Sequence, residues 1–122
     1  MILFVYGTLR TPDVATLPPD VSRAVATARH LGPATTRGRL LDCGDYPAFV
    51  DGDGIVRGDL LDVPPAALDV FDRWEDVAGG LYDRVHRTAS HDGRDVGVQL
   101  YRYLGPTDRL PLVVGGDWRR EA

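Results

Sequence analysis

The pattern of apolar and polar positions opens with five apolar residues, positions 2–6, that lead directly into Gly7. A short apolar run that ends at a glycine is typical of a buried strand followed by a tight turn. We therefore predict a strand over residues 2–6 that is buried on both faces. The turn after it, Tyr6-Gly7-Thr8-Leu9, is a candidate anion-binding loop, because glycine lets a ligand come close and consecutive N–H groups can bind an anion. An ordinary turn at the end of a strand is the simpler interpretation of these four residues taken alone.

The stretch from residue 11 to residue 63 predicts mostly extended structure with one helix. Three prolines make residues 11–20 a loop, and residues 51–54, with the sequence Asp-Gly-Asp-Gly, are typical of a hairpin turn. The other elements predicted here are a short helix capped by Asp20 or Ser22 and ending near Ala28, one or two strands over residues 29–42 broken near Pro33, a short strand over residues 47–50 and a strand over residues 55–63.

The next stretch predicts a helix that begins at two prolines. The prolines at 64–65 stop the preceding strand and open a helix, since proline suits the first helical turn. Leu68, Phe71 and Glu75 recur at helical spacing. We expect this helix to end before the glycine pair at 79–80.

Two more strands are predicted, over residues 82–89 and 96–104, joined by a turn at residues 91–94. The tail from residue 106 is predicted to be a loop. Strands therefore outnumber helices, and hairpins join several of them. This arrangement indicates an α+β fold with a mixed or antiparallel sheet, either open or curled into a small barrel. A chain of 122 residues is long enough for one domain, residues 1–122, and too short for two.

Composition narrows the classes of function. The content of 43% hydrophobic and 26% charged residues is typical of a soluble globular protein. A net charge of −4 argues against a nucleic-acid partner, because such a protein needs a dense basic patch. The chain has no lysine, which excludes a Schiff base on lysine. The first apolar run is too short for a signal peptide or a membrane span, so we expect a cytoplasmic protein with no membrane partner.

The residue types that bind metals are scattered along the chain. Cys43 is the only cysteine, which excludes an internal disulfide and a zinc site built from several cysteines. His30, His86 and His91 lack the spacing of metal ligands. We therefore expect no metal site.

Six motifs occur in the order in which one known family carries them, and they span nearly the whole chain. The chain thereby resembles the gamma-glutamylcyclotransferase-like family, and the resemblance implies a partly closed β-barrel with short helices packed against it. The motifs are Tyr-Gly-Thr-Leu at residues 6–9, Gly-Arg-Leu-Leu-Asp-Cys-Gly-Asp-Tyr-Pro-Ala at 38–48, Val-Arg-Gly-Asp-Leu at 56–60, Phe-Asp-Arg-Trp-Glu at 71–75, Leu-Tyr-Asp-Arg at 81–84 and Gly-Asp-Trp at 116–118.

The resemblance implies that Glu75 is the catalytic acid/base. Residues 71–75 are similar to the family's Leu-Asp-x-Tyr-Glu segment, whose glutamate has that role. Residues 68–72 fit the same template one helical turn earlier, and that register would give the role to Asp72. We prefer Glu75, because this register keeps the glutamate and places the aromatic Trp74 before it. A carboxylate drawn into a pocket is a better proton shuttle near neutral pH, because burial disfavours its charged form.

The last two predicted strands carry further candidates. Tyr82, Arg84 and His86 share one face by the two-residue period of a strand. They would either form a polar wall of the pocket or hold the junction between helix and strand. Some family members have a substrate-contacting tyrosine on a late strand, for which Tyr101 is the candidate here, although core packing is its favoured role. We interpret residues 46–48, Tyr-Pro-Ala, as structural.

The activity implied by the resemblance is γ-glutamyl cyclotransfer, a cyclising reaction of the lyase type. The α-amino group of a γ-glutamyl amide attacks its own γ-carbonyl, and 5-oxoproline and a free amine are released. Glu75 would carry the protons, while main-chain N–H groups of Tyr6, Gly7, Thr8 and Leu9 would bind the glutamyl end of this small-molecule substrate. No cofactor is required. The alternative is a non-enzymatic protein that binds a small carboxylate metabolite in the same pocket.

Overall fold

The computed structural model describes residues 1–7, 9–10 and 17–118. Within these ranges no helix has both the length and the apolar character needed to cross a membrane. The elements, in chain order, are β1 (Ile2–Val5), α1 (Pro19–Ala26), β2 (Arg29–Asp42), β3 (Pro47–Asp62), α2 (Pro65–Trp74), β4 (Tyr82–His91), β5 (Arg94–Tyr103) and a short 3₁₀ turn (Val114–Gly116).

The five strands form a ring in the order β1-β3-β2-β4-β5. Neighbouring strands are antiparallel except β1 and β5, which meet in parallel at the single pair Leu3 and Gln99. The contact between β2 and β4 is also short, with pairing at Thr35 and Thr36. The sheet is therefore a partly closed barrel with two helices, which confirms the predicted α+β fold.

Strand β1 lies between two hydrophobic clusters. Leu3 and Val5 pack with the buried side chains of α1 and α2, whereas Phe4 and Tyr6 pack with those of β2, β3 and β5. A strand that is covered on both faces needs apolar residues at every position, in contrast to the alternating pattern of a half-exposed strand. This confirms the prediction that the first apolar run is buried on both sides.

The structure contradicts the predictions for the long β2–β3 pair. Strand β3 continues through residues 51–54, where a hairpin turn was expected, and β2 is unbroken at Pro33. Val50 pairs with Arg39 and Ile55 pairs with Arg37, so the four residues between them bulge out. The chain accommodates this bulge because long ladders on both sides hold the two strands together.

The predicted caps of α1 are wrong, whereas the predicted start of α2 is right. Helix α1 begins at Pro19 with Pro18 at the cap position and has no side-chain cap, although Asp20 and Ser22 were expected to supply one. Helix α2 begins at Pro65, as its two prolines indicate. Of the predicted loop over residues 11–20, residues 11–16 lie outside the described residues.

The predicted hairpin between β4 and β5 is confirmed. Its turn is Asp92-Gly93, and both residues have positive φ, 51° and 75°. Two consecutive residues with positive φ are typical of the tight turn that matches the twist of a two-strand ribbon. The hairpin places Tyr82 opposite Tyr103 and Arg84 opposite Tyr101, next to the end of α2.

Candidate active site

A pocket of about 260 Å³ lies where α2 ends, beside the turn that follows β1. Tyr6, Gly7, Leu9 and Glu75 all line it. The structure therefore brings together the residues that the sequence singled out, except Thr8, which lies outside the described residues. Most of the other lining residues are apolar or aromatic, and Glu75 is the one charged side chain among those the structure describes.

Glu75 lies at the carboxyl end of α2, directly after the last helical residue. Its backbone N–H still donates to the Phe71 carbonyl at 2.8 Å, so the helix fixes where the side chain begins. The side chain is partly buried, and this burial raises the pKa of the Glu75 carboxyl to about 7. The helix end has the same effect in principle, because its free carbonyls disfavour a nearby negative charge. Glu75 is therefore able to accept and to donate a proton near neutral pH.

Three tyrosine hydroxyls lie near Glu75. Burial raises the pKa of Tyr6, Tyr82 and Tyr101, and the Glu75 charge adds to the rise in each case. The Tyr6 hydroxyl donates to the Tyr101 carbonyl at 2.6 Å, and the Tyr82 hydroxyl donates to the Pro47 carbonyl at 3.0 Å. Each hydroxyl therefore keeps its proton and is held in one orientation. The Tyr6 oxygen also has a backbone hydrogen bond from Phe49.

The other wall of the pocket is the glycine turn, by which we mean Tyr6, Gly7, Leu9 and Arg10. The Arg10 N–H closes it by donating to the Gly7 carbonyl at 3.0 Å. A Cβ atom at Gly7 would lie 2.9 Å from the Cγ atom of Pro47, closer than real Cβ contacts. Glycine is needed here because the main chain passes against the Pro47 ring.

Asp72, the competing candidate for the acid/base, lies in an ion pair outside the pocket lining. Arg84 holds it with two bonds, Nε to Oδ1 at 2.9 Å and Nη2 to Oδ2 at 3.2 Å. The Tyr101 hydroxyl donates to Oδ1 at 2.7 Å, and Arg84 also bonds the Gln99 side chain. Both carboxylate oxygens of Asp72 thus have strong partners. Among the described residues, none forms such a bond to the Glu75 carboxylate.

Of the candidate residues on β4 and β5, some line the pocket and one holds α2 against the sheet. Tyr82 and Tyr101 line the pocket, and Tyr101 also bonds Asp72. Arg84 joins α2 to β4 through its ion pair with Asp72, so it holds the junction between helix and strand. His86 is exposed. Within the described ranges no group of three His, Cys, Asp or Glu side chains is placed to hold a metal ion.

Sequence reasoning missed part of the pocket. Tyr46 and Pro47 line it, although their sequence predicts a structural role. Trp74 and Leu81 line it on either side of the loop that follows α2. These four residues form the apolar wall near Glu75. The available signal was proximity in sequence, because Trp74 and Leu81 flank Glu75 closely.

Comparison with known proteins gives a consistent picture. A sequence model described as gamma-glutamyl cyclotransferase, AIG2-like, matches residues 3–120. The gamma-glutamylcyclotransferase family protein YtfP of Escherichia coli strain K12 is 30% identical over 119 residues, which cover 97% of this chain and 96% of that protein.

Two solved structures resemble the fold. The solution structure of ytfP from Escherichia coli has a TM-score of 0.68 and 29% identity, and the match covers 97% of this chain and 96% of that one. The crystal structure of an AIG2-like protein from mouse has a TM-score of 0.76 and 20% identity, with coverage of 97% and 87%. The family match over residues 3–120 shows that this chain belongs to the gamma-glutamyl cyclotransferase, AIG2-like family.

Proposed function

We propose that the protein converts γ-glutamyl amides to 5-oxoproline and a free amine. The observation that carries this proposal is the placement of Glu75. Its carboxyl, with a pKa raised to about 7 by burial, is the one charged group in the described lining of a pocket whose other wall is the glycine turn. The reaction needs a proton shuttle beside a bound glutamyl group, and this arrangement supplies one.

The protons move between two nitrogen atoms of the same substrate. The Glu75 carboxylate takes a proton from the α-ammonium group, and the neutral amine attacks the γ-carbonyl carbon. A carbon–nitrogen bond forms, and the protonated Glu75 then donates to the leaving nitrogen as the amide bond breaks. A second transfer leaves a neutral lactam and a protonated amine, with Glu75 again a carboxylate. Because attacker and target belong to one molecule, folding the substrate supplies much of the rate.

The glycine turn is proposed to bind the glutamyl end. Its main chain passes close to the pocket because Gly7 has no side chain to keep a ligand away. Main-chain N–H groups in such a turn bind a carboxylate or stabilise the oxyanion that forms on the attacked carbonyl. The Tyr82 oxygen is suited to accept from the α-ammonium group, because its hydroxyl proton already points to the Pro47 carbonyl.

The leaving amine is proposed to lie against the apolar wall of Tyr46, Pro47, Trp74 and Leu81. Tyr46 is 39% exposed, so this wall faces the opening of the pocket. An amine that carries its own carboxylate would place it near Glu75 without a cation among the described lining residues. An apolar or aromatic amine without a carboxylate gains from burial against these rings and meets no like charge. We therefore favour γ-glutamyl amides of such amines.

The test is a panel of three γ-glutamyl substrates that differ in the leaving amine. Benzylamide supplies an aromatic amine, methylamide a small neutral one, and γ-glutamylglycine one with a carboxylate. We expect 5-oxoproline release from the panel, with the highest kcat/KM for the benzylamide and the lowest for γ-glutamylglycine. Binding of a panel member, followed by calorimetry, without any 5-oxoproline release would contradict the enzyme and favour the binding protein. Equal kcat/KM values across the panel would contradict the assignment of the apolar wall.

A further inference from the structure

The end of the described chain lies against the sheet beside the glycine turn. We call residues 111–118 the C-terminal strap. The Asp42 N–H donates to the Pro111 carbonyl at 2.7 Å, and the Val113 N–H donates to the Leu40 carbonyl at 2.8 Å. These two bonds add the beginning of the strap to the end of β2. The strap includes the Gly-Asp-Trp motif of residues 116–118, which has no role in the proposed reaction.

Close packing fixes the path of the strap at Gly116. Its φ is +64°, and a Cβ atom there would lie 2.0 Å from the Ile55 carbonyl oxygen. No other residue fits this position without moving the backbone. Trp118 packs against the cluster that contains Phe4 and Tyr6, so the strap is held on both sides of Asp117. The position of the Asp117 carboxylate is therefore determined by the fold.

Asp117 meets a buried arginine of the glycine turn. The Arg10 side chain is 5% exposed, with Nε 3.0 Å from Oδ2 of Asp59 on β3 and Nη1 2.6 Å from Oδ1 of Asp117. Asp59 is equally buried, and the His30 ring lies 4.0 Å from its other oxygen. The Arg10 backbone N–H closes the glycine turn on Gly7. Arg10 thus joins the turn to the barrel and to the strap.

We propose that Asp117 is a positioning residue, through which the C-terminal strap holds the glycine turn in the geometry that binds the glutamyl group. The guanidinium is planar, and its donors are fixed relative to one another. Asp59 holds one edge of it, and Asp117 holds a second nitrogen, so the two carboxylates together fix its plane. Because the Arg10 main chain closes the turn, fixing the side chain also fixes the N–H groups beside the pocket. The part of this inference that concerns substrate rests on the proposed function.

Asp117→Asn is the variant that tests this role. In this variant Arg10 keeps its buried partner Asp59, so the change leaves no buried charge unpaired. Changing Arg10 would leave the buried Asp59 without this partner, and such a variant risks unfolding for a different reason. Asp95→Asn is the matched control, because it removes the same charge from an exposed position on β5. Asp117→Glu keeps the charge and serves as the conservative variant.

The first readout needs no substrate. We expect the exchange of the Arg10 amide hydrogen to be about tenfold faster in Asp117→Asn than in wild type, since the charge-assisted bond that restrains this residue is weakened. Exchange of the Leu100 amide, in the middle of β5, should not change. Asp95→Asn should match wild type at both positions, and Asp117→Glu should recover part of the protection. Unchanged exchange at Arg10 in Asp117→Asn would overturn the proposal.

The second readout uses the γ-glutamyl benzylamide. We expect KM to rise about tenfold in Asp117→Asn with kcat within about twofold of wild type, since the turn binds substrate and Glu75 is untouched. A variant with a lowered melting temperature but unchanged KM would show a merely structural role and overturn the proposal. If the wild type turns over no γ-glutamyl amide, the proposed function fails, and the exchange of the Arg10 amide still decides the role of the strap.

Discussion

The surroundings of Asp72 and of Glu75, which lie one helical turn apart at the end of α2, differ in hydrogen-bond partners and in their effect on the carboxyl group. Asp72 has Arg84 on both oxygens and the Tyr101 hydroxyl on one of them. Glu75 faces an apolar pocket, and burial moves the pKa of its carboxyl to about 7. A carboxylate with strong partners holds structure together, whereas one without them acquires a pKa suited to moving protons. The end of α2 therefore places an acid held in an ion pair beside an acid with a raised pKa.

The two regions also depend on each other. The Asp72 network ties the last turn of α2 to β4 through Arg84 and to β5 through Tyr101. Glu75 directly follows this turn, so the network anchors the part of α2 from which the Glu75 side chain projects. Positioning of a catalytic group by neighbouring ion pairs is a general requirement of an ordered site. The comparison therefore predicts that changes at Asp72 act mainly on position and changes at Glu75 act on the reaction itself.

The largest effect should come from Glu75→Gln. The amide keeps the shape of the side chain but does not take up a proton, and general acid–base groups typically contribute about 10²–10⁴-fold to rate. We expect kcat for the γ-glutamyl benzylamide to fall by at least about 100-fold, with a much smaller change in substrate binding. Asp69→Asn, an exposed acid on the same helix, is the control and should keep wild-type turnover. A variant Glu75→Gln with wild-type kcat would mean that another group moves the protons.

Glu75→Gln should also change how the free energy of unfolding depends on pH. The folded pKa of Glu75, about 7, lies above the ordinary value of 4.5, so folded protein holds the proton more tightly. The stability linked to this proton is present below the ordinary pKa and is lost as pH rises through about 7. Between about pH 4 and pH 8 the free energy of unfolding of the wild type should therefore fall by up to roughly 3 kcal/mol relative to that of Glu75→Gln.

Urea unfolding of both proteins at several pH values measures this difference. The other titrating groups are common to both proteins and largely cancel. A free-energy difference between them that does not change with pH would contradict a raised pKa at Glu75, whatever the result of the kinetic experiment.

An intermediate effect is expected for Asp72→Asn. The change removes a charged acceptor from Arg84, and hydrogen bonds to charged groups contribute about 1.5–3 kcal/mol. We expect the free energy of unfolding in urea to fall by about 2 kcal/mol and kcat to fall by about tenfold, because Glu75 is less well placed. The pH dependence of kcat should remain that of wild type. A loss of turnover larger than that of Glu75→Gln would reverse the roles of the two acids.

The smallest effect is expected for Tyr101→Phe. The ring still fills its place beside the pocket, but the hydroxyl bond of 2.7 Å to Asp72 is lost. Arg84 still holds both oxygens of Asp72, so we expect a loss of about 1 kcal/mol in unfolding free energy and little change in kcat. Tyr103→Phe removes a hydroxyl from the same strand and serves as the control. A collapse of kcat in Tyr101→Phe alone would give this hydroxyl a direct part in the reaction.

Much of the fold could be predicted from local pattern. The first strand, the proline start of α2 and the turn at Asp92-Gly93 each depend on neighbouring residues. Residues 51–54 carry a strong turn signal and still lie within β3, because pairing with β2 on both sides of the bulge outweighs local preference. Local pattern cannot weigh a long ladder against a short turn.

In the candidate site, too, the local motif could be predicted from the sequence and the long-range contacts could not. The motif around Glu75 indicated the acid, but two registers fitted, and sequence alone left Asp72 as the alternative. The partners that distinguish them, Arg84 and Tyr101, lie 12 and 29 residues beyond Asp72. The ion pair of Arg10 and Asp117 spans 107 positions. Such contacts exist only once the barrel is formed, which is why the support of the site could not be predicted.

The central claim is that Glu75 titrates near neutrality, and its carboxyl can be observed directly. Glu75 is one of only two glutamates in the chain, so ¹³C labelling of glutamate side chains gives two carboxyl resonances by NMR. The resonance that disappears in Glu75→Gln belongs to Glu75. We predict that its titration midpoint in the wild type lies near 7. A midpoint at the ordinary value of 4.5 would contradict the account, because Glu75 would then be an ordinary exposed acid.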